Sequence, residues 1–289
     1  MSDSECRLKK LLVTMENLKG PVGVFDSGYG GLTILKEIRR LMPQYSYLYL
    51  GDNARAPYGT RSFDVVYRFT LEAVSALFEQ GCPLVILACN TASAKALRTI
   101  QQRDLPQMRP GLRVLGVIRP TAEAVGELTA TGHIGILGTE GTVNSCSYDI
   151  EIEKLFPGSA VSSKACPMWV PLVENNEASA PGADYFVTKY IRELLDMDSQ
   201  LDTVVLACTH YPILYPKIRE AVPGNIRVVT QGEIVAQSLK DYFGRHPEME
   251  QRIETGGTCR YLTTENPEKF TGLASVFLDE PVNVSHIDL

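Results

Sequence analysis

Short apolar runs alternate with longer amphipathic segments along most of the chain. The run Val22–Phe25 predicts a buried strand, and "LTILKEIRRLM" after it has the apolar spacing of a helix. A second strand, "YSYLYLGDN", precedes a long helix from Ser62 to Gln80, and a third, "PLVILAC", precedes the helix "SAKALRTIQQR". Parallel βαβ units, with helices on both faces of a sheet, give this alternation. The pattern therefore predicts an α/β fold.

The same layout starts again in the second half of the chain. "HIGILGTEGTV" repeats "VGVFDSGYGG" with Ile134 aligned to Val22, and "GNIRVVTQGEIVAQSL" echoes "GLRVLGVIRPTAEAV". Between these blocks, the strand that ends at Cys208 repeats the strand that ends at Cys89. Three repeated blocks in the same order predict two similar domains, each a mostly parallel sheet flanked by helices, related by pseudo-twofold symmetry. The active site is then expected between the two domains.

Both copies end a strand in an unpaired cysteine, within "LVILACNTASA" and "TVVLACTHYPI". Ligands of parallel sheets bind beyond the carboxyl ends of the strands, so we expect Cys89 and Cys208 to face one shared cleft. A strand cysteine is more often a small core residue, but polar residues follow both of these. A helix that starts after each cysteine would lower the pKa of its thiol. Such a pair suits a reaction in which the substrate is approached from two mirror-related faces.

Polar residues near the strand ends are candidates for proton transfer or substrate binding. His210 is a candidate proton partner of Cys208, although a histidine there is as often a structural hydrogen-bond partner. Asp26 ends the first strand, where an Asp in a D-S-G turn is often only a cap. The glycines of "DSGYGG" would let backbone N–H groups approach an anion such as a carboxylate, whereas dinucleotide and Walker A patterns do not fit. Taken by itself, the "APYG" turn is a common surface feature. A lone glutamate such as Glu174 in "VPLVE" is usually solvated.

Composition narrows the classes of partner. The 289 residues are 44% hydrophobic and 21% charged with a net charge of −6, which argues against nucleic acid or an anionic membrane as partner. No apolar run approaches the roughly 20 residues that span a bilayer, and we expect a cytoplasmic protein. Seven cysteines without a C-x-x-C pair indicate free thiols in a reducing compartment. Zinc is a weaker alternative, since Cys208 and His210 lack a second ligand pair, and no metal is predicted.

Five motifs together resemble glutamate racemase, a family of cofactor-independent enzymes that make D-glutamate for bacterial peptidoglycan. They are "VFDSGYGGL", "GDNARAPYG", "LACNTASA", "VPLVE" and "LACTHYPIL". The resemblance runs from Val22 to near the C-terminus, where "YLTTENPEKFTGLASVFL" is similar to the closing segment of the family. It implies that glutamate is the small-molecule substrate, that no cofactor takes part and that the enzyme is a homodimer.

The resemblance also implies roles for individual residues. Cys89 and Cys208 would be the two bases: one thiolate takes the α-proton, and the other thiol returns a proton to the opposite face. Asp26 would be the relay partner of Cys89, and His210 and Glu174 those of Cys208. Substrate contacts would come from Asp26, Ser27, Tyr58, Gly59, Asn90, Thr91, Thr209 and His210.

The family arrangement implies that the chain returns to its first domain. We expect the first domain at 21–115 and 225–289, the second at 116–224, and an N-terminal extension at 1–20. One departure from the family pattern is Thr230-Gln231, which stands where Asp-Ser is common. This departure is expected to affect local packing or the dimer contact.

Three other functions stay open on the sequence alone. The first is an aspartate racemase, or another small-acid racemase or isomerase, because a pocket rejects one methylene by only about 1–3 kcal/mol. The second is a non-catalytic amino-acid-binding protein with structural cysteines. The third is a thiol-dependent hydrolase or transferase, which would use a single nucleophile. The duplicated thiols argue against the second and third.

Overall fold

Six parallel strands form the larger sheet in the computed structural model, which describes residues 19–278 and 280–289. All but the last two residues of the expected N-terminal extension, 1–20, lie outside the described residues. The strands are β1 Val22–Asp26, β2 Tyr47–Gly51, β3 Leu84–Leu87, β4 Arg113–Gly116, β9 Cys259–Thr263 and β10 Val284–His286, in the order β10-β9-β2-β1-β3-β4. Every residue of β1, β2 and β3 is buried, as expected of parallel strands covered on both faces.

Four parallel strands form the second sheet. They are β5 His133–Gly138, β6 Ala160–Ala165, β7 Thr203–Ala207 and β8 Arg227–Val229, in the order β6-β5-β7-β8. This order repeats the run β2-β1-β3-β4 of the first sheet. The predicted α/β fold with two mostly parallel sheets flanked by helices is therefore confirmed.

The repetition extends to the register of the strands. In the first sheet, Val22 pairs with Leu84, which pairs in turn with Arg113. In the second sheet, Ile134 pairs with Thr203, which pairs with Arg227. The aligned positions of the two sequence copies thus occupy the same places in the two sheets. As a result, the cysteines of the two copies leave their sheets from equivalent strands.

Helices connect the strands and cover both sheets. The long helix predicted from Ser62 to Gln80 runs from Phe63 to Glu79, with the Ser62 side chain accepting from the N–H of Val65. The helix predicted over 93–103 instead begins at Asn90, next to the cysteine, and is broken into short segments. The helices are Leu32–Leu41, Phe63–Glu79, Asn90–Lys95, Leu97–Thr99, Ile118–Leu128, Glu140–Val143, Ser147–Leu155, Trp169–Glu174, Pro181–Met197, Tyr215–Ala221, Gly232–Arg245, Pro247–Glu250 and Pro267–Ala274, with a π-helical turn at Ile100–Asp104 and 3₁₀ turns at Asn53–Arg55, Leu105–Gln107 and Tyr211–Leu214.

The sheets indicate where the chain passes between its two halves. Strands β9 and β10 return to the first sheet, whereas β8 pairs with β7 in the second. The expected boundary at residue 225 would put β8 with the first half, whereas β8 pairs within the second sheet. We propose domains that follow the sheets, with the second one spanning about 117–229.

A buried aromatic pair fixes one helix near the strand ends. Trp169 begins the helix Trp169–Glu174, is fully buried and packs edge-to-face on Tyr211 with ring centroids 4.7 Å apart. Because Tyr211 directly follows His210, this contact sets the position of Glu174 relative to that histidine. No helix within the described residues is long and apolar enough to cross a membrane.

Candidate active site

The two strand-end cysteines line one cavity. Cys89 lies just beyond β3 and Cys208 directly follows β7, and each is only 6% exposed. Their cavity has a volume of about 140 Å³. It is smaller than the roughly 300–1,000 Å³ of pockets for drug-sized ligands, so it suits a small molecule. The thiols thus meet at the carboxyl edges of both sheets, where the sequence predicts them.

Most of the residues predicted for the site meet around this cavity. Asp26 is the exception, because it is fully buried at the end of β1 and does not line the space. The predicted residues that line it are Ser27, Tyr58, Gly59, Cys89, Asn90, Thr91, Glu174, Cys208, Thr209 and His210. The wall is completed by Ala56, Pro57, Thr60, Thr139, Glu140, Cys166, Pro167, Val170 and Pro171.

Cys89 caps the helix that follows it. Its Sγ accepts from the backbone N–H of Ala92 at 3.4 Å and lies 3.3 Å from Oγ of Ser27. The helix N-terminus was expected to lower the pKa of this thiol, but the net change in its pKa is upward. Burial, assisted by the charge of Asp26, raises the pKa of Cys89 to about 12, although Ser27 and Ala92 act in the opposite direction. Cys89 is therefore a neutral thiol at neutral pH.

Cys208 has a different neighbour, the imidazole of His210. Nδ1 of His210 lies 3.9 Å from Sγ of Cys208, and Nε2 lies 3.0 Å from Oε1 of Glu174. Burial opposes the charge on the imidazole, but the bonds to Cys208 and Glu174 outweigh it and raise the pKa of His210 to about 10. A 3₁₀ turn rather than an α-helix follows this cysteine. The imidazolium, not a helix N-terminus, provides the positive charge beside Cys208.

Asp26 lies under the glycine-rich turn. Its Oδ2 accepts from the backbone N–H of Gly28 at 2.9 Å, whereas its buried Oδ1 has no hydrogen-bond partner within the described part of the chain. Burial raises the pKa of Asp26, and the charge of His210 lowers it. The carboxyl group thus acts on Cys89 electrostatically from outside the cavity.

The turn of "APYG" reaches the second half of the chain. The hydroxyl of Tyr58 bonds to Asp52, which also accepts from Nε of Arg55 at 2.7 Å. The carbonyl oxygen of Gly59 accepts from the N–H of Gly141 at 2.8 Å. Both halves of the chain therefore contribute to the wall of the cavity, as the two-copy arrangement predicts.

Comparison with known proteins identifies the family. A sequence profile described as Asp/Glu/Hydantoin racemase matches residues 32–239. The chain belongs to this racemase family. It is also 39% identical to a glutamate racemase of Paracoccus denitrificans over 90% of this chain and 97% of that relative. A second glutamate racemase, from Koribacter versatilis, is 36% identical over 95% of this chain and 99% of the relative.

Solved structures of racemases have the same fold. A glutamate racemase isoform from Bacillus anthracis superposes with a TM-score of 0.85 at 32% identity, covering 93% of this chain and 98% of that one. The glutamate racemase of Francisella tularensis in complex with D-glutamate has a TM-score of 0.82 at 27% identity, covering 94% and 98%. This racemase-family chain thus matches them over nearly its whole length.

Sequence reasoning missed several residues of the racemase cavity. Thr139 occupies the same place in the second copy as Ser27 in the first, so the repeat itself could have found it. Its hydroxyl lies 2.9 Å from Oγ1 of Thr91 and does not bond to a cysteine. Cys166 and Glu140 also line the cavity, and no motif in the sequence singled them out.

The cavity of this racemase-family chain is lined by two thiols in different surroundings. Cys89 is a buried thiol, and Cys208 lies beside the imidazolium of His210. Within 19–278 and 280–289, no three His, Cys, Asp or Glu side chains are grouped so that they could hold a metal ion. Hydroxyl and amide groups between the thiols provide donors for an anionic substrate.

Proposed function

We propose that the protein interconverts L- and D-glutamate without a cofactor, with Cys89 and Cys208 as the two bases. One observation carries the proposal: two buried thiols from equivalent strand ends line a single small cavity. Racemisation needs a base on one face of the α-carbon and an acid on the other. A pair of thiols delivered by two copies of one fold meets this need.

The two thiols would take opposite roles in one turnover. Cys208, which lies beside the imidazole of His210, would act as the first base. Cys89 would be the first acid, since burial keeps it protonated. Cys208 takes the α-proton, and Cys89 donates its own proton to the opposite face. The reverse reaction exchanges the roles. Asp26 would be the relay partner of Cys89, and His210 and Glu174 would be those of Cys208.

Removal of the α-proton places negative charge next to the carboxylate of the substrate. Fixed donors in a cavity that excludes water stabilise such charge best. The side chains of Ser27, Asn90, Thr91 and Thr209 line the cavity and carry donors of this kind. We propose that they bind the substrate together with the wall formed by Tyr58 and Gly59.

Glutamate is the favoured substrate, with aspartate as the alternative. The relatives that cover nearly the whole chain are named glutamate racemases, and this supports glutamate. Discrimination between the two acids depends on one methylene, worth about 1–3 kcal/mol. The test below therefore includes both.

We further propose that the product, D-glutamate, supplies bacterial peptidoglycan synthesis, and that the enzyme is a cytoplasmic homodimer. Unpaired thiols support a reducing compartment, because the described cysteines are all free. A sedimentation experiment on the purified protein would test the dimer: a mass near that of one chain, 31.9 kDa, would contradict it.

Loss of the α-proton of glutamate in D₂O tests the reaction directly. Purified protein is mixed with L-glutamate and no cofactor, the Cα proton is followed by NMR, and optical activity is followed by circular dichroism. We expect both signals to disappear. If the two signals disappear with L-aspartate alone, the substrate is aspartate and not glutamate. If folded protein removes neither signal with either acid, the proposal is overturned.

A further inference from the structure

Gln231 is buried at the point where the chain leaves the second sheet. It precedes the helix Gly232–Arg245 and is only 2% exposed. The family pattern suggested an effect on packing or the dimer contact at this position. Its carboxamide bonds to Asn90, Tyr148 and Thr121, which lie on three different helices. One of these, Asn90, directly follows Cys89 and lines the cavity.

The hydrogen bonds of this cluster have a defined direction. Nδ2 of Asn90 donates to Oε1 of Gln231 at 2.6 Å. The amide nitrogen of Gln231 donates to the hydroxyl oxygen of Tyr148 at 2.8 Å and to Oγ1 of Thr121 at 2.9 Å. The Tyr148 hydroxyl then donates to Oδ1 of Asn90 at 2.7 Å. Oγ1 of Thr121 donates to the backbone carbonyl of Val117, so it accepts from Nε2 of Gln231 and fixes the Gln231 carboxamide. With Gln231 fixed, a reversed Asn90 would place its oxygen against Oε1 of Gln231, so the cluster specifies one orientation.

This orientation determines what Asn90 presents to the cavity. Its Oδ1 accepts from the Tyr148 hydroxyl and, at 3.3 Å, from Nε2 of Gln231, and one hydrogen of Nδ2 is donated to Gln231. The second hydrogen of Nδ2 is left for a ligand. A substrate carboxylate needs a donor and would be repelled by the carbonyl oxygen of the amide.

We propose that Gln231 is a positioning residue that fixes the Asn90 carboxamide so that an N–H donor faces the substrate beside Cys89. This inference rests on the proposed function. Removing the acceptor Oε1 would leave Nδ2 of Asn90 unpaired and the carboxamide free to turn. Binding of both enantiomers would weaken, since either one carries the carboxylate.

Gln231→Met tests the role, because methionine has a similar length and no polar group. We expect kcat/KM for glutamate to fall about tenfold, mainly through KM, as for the loss of one buried hydrogen bond to a charged group. The loss must be equal in both directions, because the enantiomers have the same free energy. Gln237→Met is the matched control, since Gln237 is exposed on the same helix and its side chain donates to Asp241, one turn away.

A double-mutant cycle separates positioning from a general effect on structure. If Gln231 acts through Asn90, then Gln231→Met should cost nothing further in the Asn90→Ala background. Losses that multiply in the double variant would overturn the inference, as would an unchanged KM in folded Gln231→Met protein. Should that variant not fold, Tyr148→Phe removes the bond that orients Asn90 without involving Gln231, and the same cycle applies. A wild type that does not racemise glutamate would overturn the proposed function and this inference together, whereas multiplying losses in an active enzyme overturn the inference alone.

Discussion

Gly30 faces the imidazole of His210 so closely that a Cβ on this glycine would lie less than 3.0 Å from Nδ1. Oγ1 of Thr209 would be equally close, so the two side chains leave no room for a methyl group. Gly30→Ala should therefore displace His210 from Cys208. We expect kcat/KM to fall by about 10²-fold or more, the loss that a misplacement of about 1 Å can cause.

The control for this change is Gly224→Ala, because a Cβ on Gly224 would meet nothing within 4 Å. Glutamate turnover and thermal unfolding should be measured for both variants. Folded Gly30→Ala protein with wild-type turnover would show that contact between His210 and Cys208 is not needed for the reaction.

Replacing either cysteine should separate proton exchange from inversion. A variant with one thiol can remove the α-proton from one enantiomer only, and must return a proton to the same face. We expect Cys89→Ser and Cys208→Ser to lose racemisation by at least about 10²–10⁴-fold. Each should still exchange the α-proton of one enantiomer, and of opposite enantiomers in the two cases.

NMR in D₂O with each pure enantiomer checks this expectation, and Cys146→Ser provides an exposed cysteine outside the cavity as control. If both single variants exchanged the same enantiomer, the thiols could not lie on opposite faces of the substrate.

The two parallel sheets and the meeting of the two thiols at one cavity could be predicted from the sequence, because they follow from local apolar runs and from the repeat. The pKa of Cys89 could not be predicted with the right sign. A helix N-terminus is visible in the sequence, but the burial that outweighs it depends on the packing of both halves. The contacts of Gln231 could not be predicted for the same reason, since its partners come from three helices far apart in the chain.

The ion pair of His210 should make stability depend on pH. The folded pKa is about 10 and the ordinary value is 6.5, so the folded state holds this proton more tightly. The stabilisation is complete below pH 6.5 and is lost as pH rises through about 10. Between pH 6.5 and 8.5, most thiols and phenols of the unfolded chain do not yet titrate. Over this range we expect the free energy of unfolding to fall by on the order of 2 kcal/mol.

Urea unfolding at several pH values measures this slope, and His210→Gln should flatten it. His286→Gln makes the same change at an exposed histidine and is the matched control. An identical slope in wild type and His210→Gln would mean that His210 is not held protonated in the folded state.

The Ser27 hydroxyl should control the reactivity of Cys89. Ser27 lowers the pKa of Cys89 through their 3.3 Å contact, so Ser27→Ala should raise that pKa further above the level set by burial. Less thiolate at a given pH means slower alkylation, by about two- to tenfold for one hydrogen bond. Iodoacetamide labelling from pH 7 to 9, with the Cys89 peptide quantified by mass spectrometry, gives the rate.

Thr139→Ala is the matched control, because Thr139 has the equivalent place in the second copy but bonds to Thr91. Equal slowing in both variants would attribute the effect to access to the cavity, not to the hydrogen bond.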